Sequence, residues 1–208
     1  MTTLLAVLAC TAEPDFVVPE GLEALEDNLA TLPADGSETL DVVSGQADDY
    51  AWVHAMGYVH APIEDVWAAL QDTDVVMDRR AITSWSRVDD TNADYDVSFT
   101  LHHVVEDIIT VEYDLEWRES LLLITPEEGE EVVACRYEKV DGTELIALIV
   151  GSLLLHKVDE QTTSLELVEH MAAPQDPEDR MVRYVEDLHL DMVAFVNGDD
   201  LPDYPEEE

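Results

Sequence analysis

The sequence predicts an α+β fold in which seven antiparallel strands and two short helices precede one long C-terminal helix. Three observations predict it. Residues 50–61 alternate between large and small side chains and lead into Pro62, where an amphipathic helix begins. Six further stretches between residues 81 and 171 show the period-two pattern of strands. Apolar residues then recur at helical spacing in residues 181–195.

The first predicted strand has Trp52, His54 and Met56 on one face and small residues on the other. Pro62 suits the first position of the next helix, because its missing N–H has no partner to find there. That helix is predicted to end at residue 71, and a second short helix is predicted to follow it over residues 73–79.

The six later strands are predicted at residues 81–88, 95–105, 109–118, 132–139, 145–158 and 162–171. Their clean alternation is typical of antiparallel strands with one dry and one wet face. Glu106 and Asp107 are predicted to form a hairpin tip, and Gly151 interrupts an apolar run and predicts a β-bulge.

Residues 1–9 and Cys10 carry a possible targeting signal. The residues VLAC at 7–10 resemble the end of a bacterial lipoprotein signal, which would place an acyl group on Cys10 and anchor the protein in the cell envelope. Two features depart from that pattern: no Lys or Arg precedes the apolar run, and the run is short. A start codon assigned too far downstream explains both. The alternative is an ordinary apolar N-terminus with a chance cysteine.

Residues 10–48 are predicted to be an acidic tether. Leucines recur every three or four positions in residues 22–32 and predict one short amphipathic helix there. We expect this helix to cover the outward apolar side chains around Trp52; the alternative is that it binds a partner. At the other end of the chain, residues 199–208 are predicted to be an acidic disordered tail.

The charge of the chain restricts its partners. Forty-nine acidic residues against nine basic ones give a formal net charge of −40 over 208 residues. Nucleic acid is excluded as a partner on electrostatic grounds, and so is direct docking on anionic lipid. Such a surface is typical of proteins from salty environments, and also of proteins that are simply very soluble.

A family resemblance rests on residues at four places in this layout. The first strand-to-helix joint has Val59, Ala61, Pro62, Val66, Trp67, Leu70 and Asp72. The others are Gly151 in the sixth strand, Thr162 and Thr163 at the start of the seventh, and the helix at 184–195. With their order and spacing, residues 49–198 resemble the START-like, birch-pollen-allergen-like superfamily (SRPBCC, polyketide cyclase/lipid transport). The resemblance implies a helix-grip fold, in which a curved seven-stranded sheet wraps around the C-terminal helix and leaves an apolar cavity. Members of the superfamily hold sterols, lipids, polyketides or hormones there, and a minority perform cyclisation or hydrolysis.

If the resemblance holds, the alternation points one set of side chains toward the helix as candidate ligand-binding residues: Tyr95, Phe99, His103, Tyr113, Trp117, Tyr137 and Glu169, with Tyr184 and Leu188 from the helix itself. Aromatic walls suit a flat or chain-like apolar ligand. The alternative is that the large rings fill the core.

His103 and Glu169 are the ionisable members of this set. They are expected to orient a polar end of the ligand or to act as acid and base; the alternative is that they pair with each other or with a tyrosine hydroxyl. No motif predicts a metal site, and none predicts a cofactor.

The sequence therefore predicts a monomeric, non-enzymatic, envelope-anchored protein that binds a hydrophobic small molecule or lipid. A cyclase or hydratase that uses His103 and Glu169 is the first alternative, and a protein-interaction module with a filled core is the second. The sequence does not identify the ligand.

Overall fold

The computed structural model describes residues 18–90, 92–106, 109–125, 130–174 and 176–205. The predictions for residues 1–9, Cys10 and Asp107 lie outside these ranges. In chain order the elements are β1 (Leu40–Gln46), β2 (Ala51–Val59), α1 (Ile63–Leu70), α2 (Thr73–Val76), β3 (Ser84–Asp89), β4 (Val97–Glu106), β5 (Thr110–Thr125), β6 (Glu130–Gly142), β7 (Leu148–Asp159), β8 (Thr162–Ala172) and α3 (Pro177–Asn197).

All strands belong to one curved antiparallel sheet in the order β1-β2-β8-β7-β6-β5-β4-β3. This confirms the predicted helix-grip fold, with eight strands instead of seven. The additional strand is β1, which pairs with β2 at the edge of the sheet. Sequence analysis placed it in the tether because LDVVSGQ is short and half-buried, so its alternation is weak.

The core lies between the inner face of the sheet and the helices. Helix α3 packs against β1, β2 and β8, and α1 packs against β7 and β8. Met181, Val185, Leu188 and Met192 form the buried stripe of α3. The helix begins with a proline in its first turn and ends at Gly198, whose φ of 70° is the left-handed conformation that terminates helices. No helix in the described residues is long and apolar enough to cross a bilayer.

Residues 19–31 form an extended segment, here called the strap, that crosses the outer face of the sheet. At one end the Tyr95 hydroxyl donates to the Glu20 carbonyl, and at the other the Thr31 N–H donates to Asp41. The predicted helix over residues 22–32 is therefore wrong. Backbone N–H groups in the strap donate to side chains of the sheet instead, and these tertiary hydrogen bonds override the local helical pattern.

Contacts between the strap and the sheet are specific. The Leu25 N–H donates to Ser152 Oγ at 2.9 Å, and the Asn28 amide donates to the carbonyls of Ala55 and Leu167 on two neighbouring strands. Leu22 in the strap is fully buried. The strap therefore belongs to the folded domain and is not a loose tether.

The C-terminal residues 199–205 are packed on the domain, so the prediction of a disordered tail is wrong for them. The Tyr204 hydroxyl donates to the Asp187 carbonyl and to Asp191 Oδ1 at 2.9 Å, both on α3. Its ring lies under the guanidinium groups of Arg79 and Arg80. The acidic composition predicted disorder, because composition does not show that one aromatic residue, Tyr204, packs on the domain.

Candidate functional site

A cavity of about 480 Å³ lies between the inner face of the sheet and the N-terminal half of α3. Strands β4 to β8 form one wall, and residues 78–83 after α2 form another. Its apolar lining includes Val76, Ile82, Leu115, Ile146 and Ile149. A cavity of this volume is in the range that accepts small organic molecules.

His103 is a buried polar group in this cavity wall. Only 4% of the residue is exposed, and its ring stands edge-on against the ring of Tyr113 with centroids 4.7 Å apart. Burial lowers the pKa of His103 to about 4, so the imidazole is neutral at pH 7.

Glu169 and Tyr137 form a buried pair in the same wall. Tyr137, Gly151 and Glu169 are lateral neighbours on β6, β7 and β8. Because Gly151 has no side chain, the Tyr137 ring lies over it and reaches Glu169, to which its hydroxyl donates at 2.6 Å. Burial raises the pKa of Glu169 to about 7. The strand pairing has no register shift at Gly151, so the predicted bulge is wrong: this glycine makes room for a ring.

The cavity lining carries charged groups of both signs. Asp78, Glu106 and Glu169 are its acidic residues, and Arg79, Arg80 and Arg180 are its basic ones.

Two of the arginines are also held by α3. Arg79 donates to both oxygens of Asp191 at 2.7 Å, and Arg80 makes a bidentate pair with Asp187. These pairs fasten the loop after α2 to the helix on the opposite side of the cavity. Because both guanidinium groups already face a carboxylate, they offer little net positive charge to a ligand.

The predicted ligand-binding residues fall into two groups. Five of them line the cavity: His103, Tyr113, Tyr137, Glu169 and Tyr184. The other four do not. Phe99 and Trp117 form a stacked series with Tyr137 across three strands, and fill the core next to the cavity. Leu188 packs in the same core.

Tyr95 lies away from the cavity. It precedes β4, which begins at Val97, so the strand alternation does not extend to it. Its hydroxyl binds the strap, and the prediction of an inward position is wrong.

Several polar residues near the core were missed by sequence analysis. The alternation of β5 places Glu119 inward, two residues after Trp117, but the predicted strand ended at residue 118. Glu119 is fully buried, accepts a hydrogen bond from Trp67 Nε1 at 2.6 Å, and has a pKa that burial raises to about 7. The arginines and Asp78 come from a loop that has no periodic signal.

Glu26, His54 and His170 form a second cluster on the outer face, with their ligand atoms within 4.8 Å of one another. Sequence analysis did not predict this cluster, because Glu26 belongs to the strap and the position of the strap on the sheet was not predicted. Both histidine Nε2 atoms lie 3.0 Å from the same Glu26 oxygen. Hydrogen bonds lower the pKa of Glu26, and the bond with His170 has the largest effect. The carboxylate of Glu26 therefore accepts from both rings.

The tautomer of His54 argues against metal binding in this arrangement. The Leu29 N–H donates to His54 Nδ1 at 2.9 Å, so the proton of the neutral ring is on Nε2, the atom that faces Glu26. A metal at Nε2 would have to move that proton to Nδ1, where it would oppose the Leu29 N–H. The cluster is better suited to fastening the strap than to holding an ion.

Fold and cavity together define a helix-grip protein with an internal pocket. Among solved structures, TTHA0849 from Thermus thermophilus is similar with a TM-score of 0.50 and 16% identity, over 71% of this chain and 97% of that chain. The lipid transfer and protein localization domain of human StarD13 is similar with a TM-score of 0.50 and 11% identity, over 76% of this chain and 83% of that chain. No protein-family model and no curated protein sequence matches. The likenesses confirm the helix-grip fold that the START-like resemblance implies.

Proposed function

We propose that this protein binds a hydrophobic small molecule or lipid in the cavity between its sheet and α3. The observation that carries the proposal is a cavity of about 480 Å³ whose lining combines aliphatic residues with three tyrosine rings. The StarD13 domain of the same fold is named for lipid transfer, which supports the same kind of ligand. The cavity volume argues against a protein-interaction module with a filled core.

Native mass spectrometry of gently purified protein tests this proposal with a matched pair of variants. Ile149 lines the cavity from β7, and Val158 is exposed near the end of the same strand. Ile149→Trp should fill the cavity and abolish a co-purifying apolar molecule, whereas Val158→Trp should retain it. A ligand that remains bound at full occupancy in Ile149→Trp would refute this location.

An acid–base enzyme of the cyclase or hydratase kind is the second candidate. The observation that favours it is the presence of Glu169, with a pKa of about 7, in the same cavity as His103. The low pKa of His103 makes its imidazole a weak base, and Glu169 is already bound by Tyr137, so binding remains the leading function. Conversion of the co-purified ligand by wild-type protein, and its loss in Glu169→Gln, would instead establish the enzyme.

We further propose that Cys10 anchors the protein in the cell envelope through an acyl group. The proposal rests on the sequence at residues 7–10. Labelling of cells with a palmitate analogue should mark the natural chain and Cys135→Ser, whose cysteine is buried, but not Cys10→Ser. Equal labelling of the natural chain and Cys10→Ser would exclude this anchor.

A further inference from the structure

Strand β3 is the open edge of the sheet. It is the last strand in the sheet order, and within the described sheet it pairs with β4 alone. Five of its six residues are exposed, among them Val88 with 65% of its surface in solvent. Strand β1 at the opposite edge is half-buried and is packed by α3. It is therefore β3 that presents a row of backbone N–H and C=O groups to another chain.

The hydrogen-bond pattern of β3 shows which residues face the open side. The Asp90 N–H donates to the Ser98 carbonyl at 3.0 Å, in register with the rest of the β3–β4 pairing. Hydrogen-bonded and non-hydrogen-bonded positions alternate along an antiparallel pair. Val88 therefore directs its backbone groups toward β4, and Arg87 and Asp89 direct theirs toward the open side.

The side chains of Arg87 and Asp89 carry opposite charges on one face of β3. Arg87 Nε donates to Asp89 Oδ1 at 2.7 Å, and the Asp89 side chain is 75% exposed. The guanidinium group of Arg87 lies over the Phe99 ring, and its Nη1 donates to the Gln71 carbonyl at 2.6 Å. These contacts hold a positive group at the edge of the sheet, two positions from a negative one.

We propose that β3 pairs with β3 of a second copy of this chain in an antiparallel dimer whose two-fold axis passes at Val88. Charges on an edge strand usually hinder pairing with another chain. Here the two charges are placed symmetrically about Val88, so Arg87 of each copy lies opposite Asp89 of the other. Their outward backbone groups form the hydrogen-bonded pairs, and the two Val88 side chains meet at the closer, non-hydrogen-bonded position. An axis at Arg87 would instead place two arginines opposite each other.

The charge and the size of this interface set the conditions under which the dimer forms. Each copy has a formal net charge of −40, so long-range repulsion opposes association at low salt. The screening length falls from about 10 Å at 0.1 M salt to about 3 Å at 1 M, which leaves the contacting pairs and removes most of the repulsion. One pair of six-residue strands makes a small interface, so the dimer is weak and depends on concentration. It would replace the monomer that the sequence predicts.

Sedimentation equilibrium at 1 M NaCl measures the dissociation constant of the dimer. Asp89→Arg places an arginine opposite Arg87 of the second copy at both symmetric positions, and we expect it to weaken the dimer by about tenfold. Glu186→Arg, at an exposed position of α3, changes the net charge by the same amount and should keep the wild-type constant. Because both variants reduce the repulsion between copies, a weaker dimer in Asp89→Arg alone reports the local pairs.

Disulfide crosslinking tests the register in the Cys10→Ser background, where the remaining Cys135 is buried. Val88→Cys brings two thiols together at the axis, where the Cα atoms of a non-hydrogen-bonded pair are roughly 4.5 Å apart, a separation that a disulfide spans. We expect Val88→Cys to crosslink faster than Ser86→Cys on the same face of β3, and faster than Val158→Cys at an exposed position of β7.

The outcomes distinguish the dimer from its register. Wild-type protein that stays monomeric at every concentration in 1 M NaCl would overturn the proposal, and so would equal dissociation constants for Asp89→Arg and Glu186→Arg. Faster crosslinking of Ser86→Cys than of Val88→Cys would overturn the axis at Val88. Equal crosslinking of Val88→Cys and Val158→Cys would show that the copies do not meet at β3.

Discussion

Replacing Gly151 with alanine should displace the Tyr137 ring from Glu169. A Cβ atom at position 151 would overlap the phenol end of the ring and lie 2.6 Å from its Cε1 atom. Tyr137 is 1% exposed and stacks against Trp117 with centroids 4.5 Å apart, so the ring has little space to move into. We therefore expect the hydroxyl to lose its 2.6 Å hydrogen bond to Glu169.

The cost follows from two effects. Forcing a ring out of a packed core costs roughly 1–3 kcal/mol of the free energy of unfolding, and leaving a buried carboxyl without its partner costs roughly 1–3 kcal/mol more. Tyr137→Phe removes only the hydrogen bond and should show the second cost alone. Urea denaturation of the three proteins at one salt concentration measures both differences.

A double-mutant cycle with Tyr137→Ala isolates the overlap. Without the ring, alanine at position 151 meets empty space, so Gly151→Ala should cost less than about 0.5 kcal/mol in that background. An equal loss of stability in the wild-type and Tyr137→Ala backgrounds would refute the steric argument, and would place the cost in the backbone of β7.

Other predictions concern the buried carboxyl groups, the strap and the C-terminal residues. Burial raises the pKa of Glu119 and Glu169 to about 7 from 4.5, so each group stabilises the fold at acidic pH and loses this contribution as the pH rises toward 7. Replacing either with glutamine should reduce the fall in the free energy of unfolding between pH 5 and 7 by up to about 1.4 kcal/mol per pH unit; urea titrations that give identical slopes would contradict this. Asn28→Ala should speed amide exchange throughout the strap, while the exposed Asp27→Ala should not, as hydrogen exchange can measure. Tyr204→Ala should lower the thermal midpoint, because it removes ring contacts with two arginines that are worth roughly 1–2 kcal/mol. Tyr204→Phe keeps the ring and should retain most of this stability. Equal losses in the two variants would instead assign the effect to the hydroxyl.

Strand phase was the most predictable property of the site. Because side chains alternate along a strand, the pattern around His103 and Glu169 was enough to place both inward, and the structure brings both to one cavity. The alternation of side chains does not show where a strand begins or ends. Tyr95 was assigned inward although it precedes β4, and Glu119 was missed because β5 is longer than predicted.

Contacts between distant segments were not predictable from the sequence pattern. The strap has leucines at helical spacing, yet the Leu25 N–H binds Ser152, which is 127 residues away. The ion pair between Arg79 and Asp191 joins a loop to a helix that is 112 residues away in the sequence. Such pairings depend on the three-dimensional arrangement of the sheet, and no local propensity reports them.

The sizes of side chains along the sheet explain why the cavity lies where it does. Strand β2 presents small residues such as Ala51, Ala55 and Gly57 to the inner face, and α3 packs closely over β2 and its neighbours β1 and β8. Strands β4 to β6 present large rings instead, and these stack on one another. A straight helix cannot rest on small residues at one side of a curved sheet and also touch the other side, so the space beside it stays open. His103 belongs to the wall of that space, and both of its ring nitrogens are buried without a hydrogen-bond partner among the described residues.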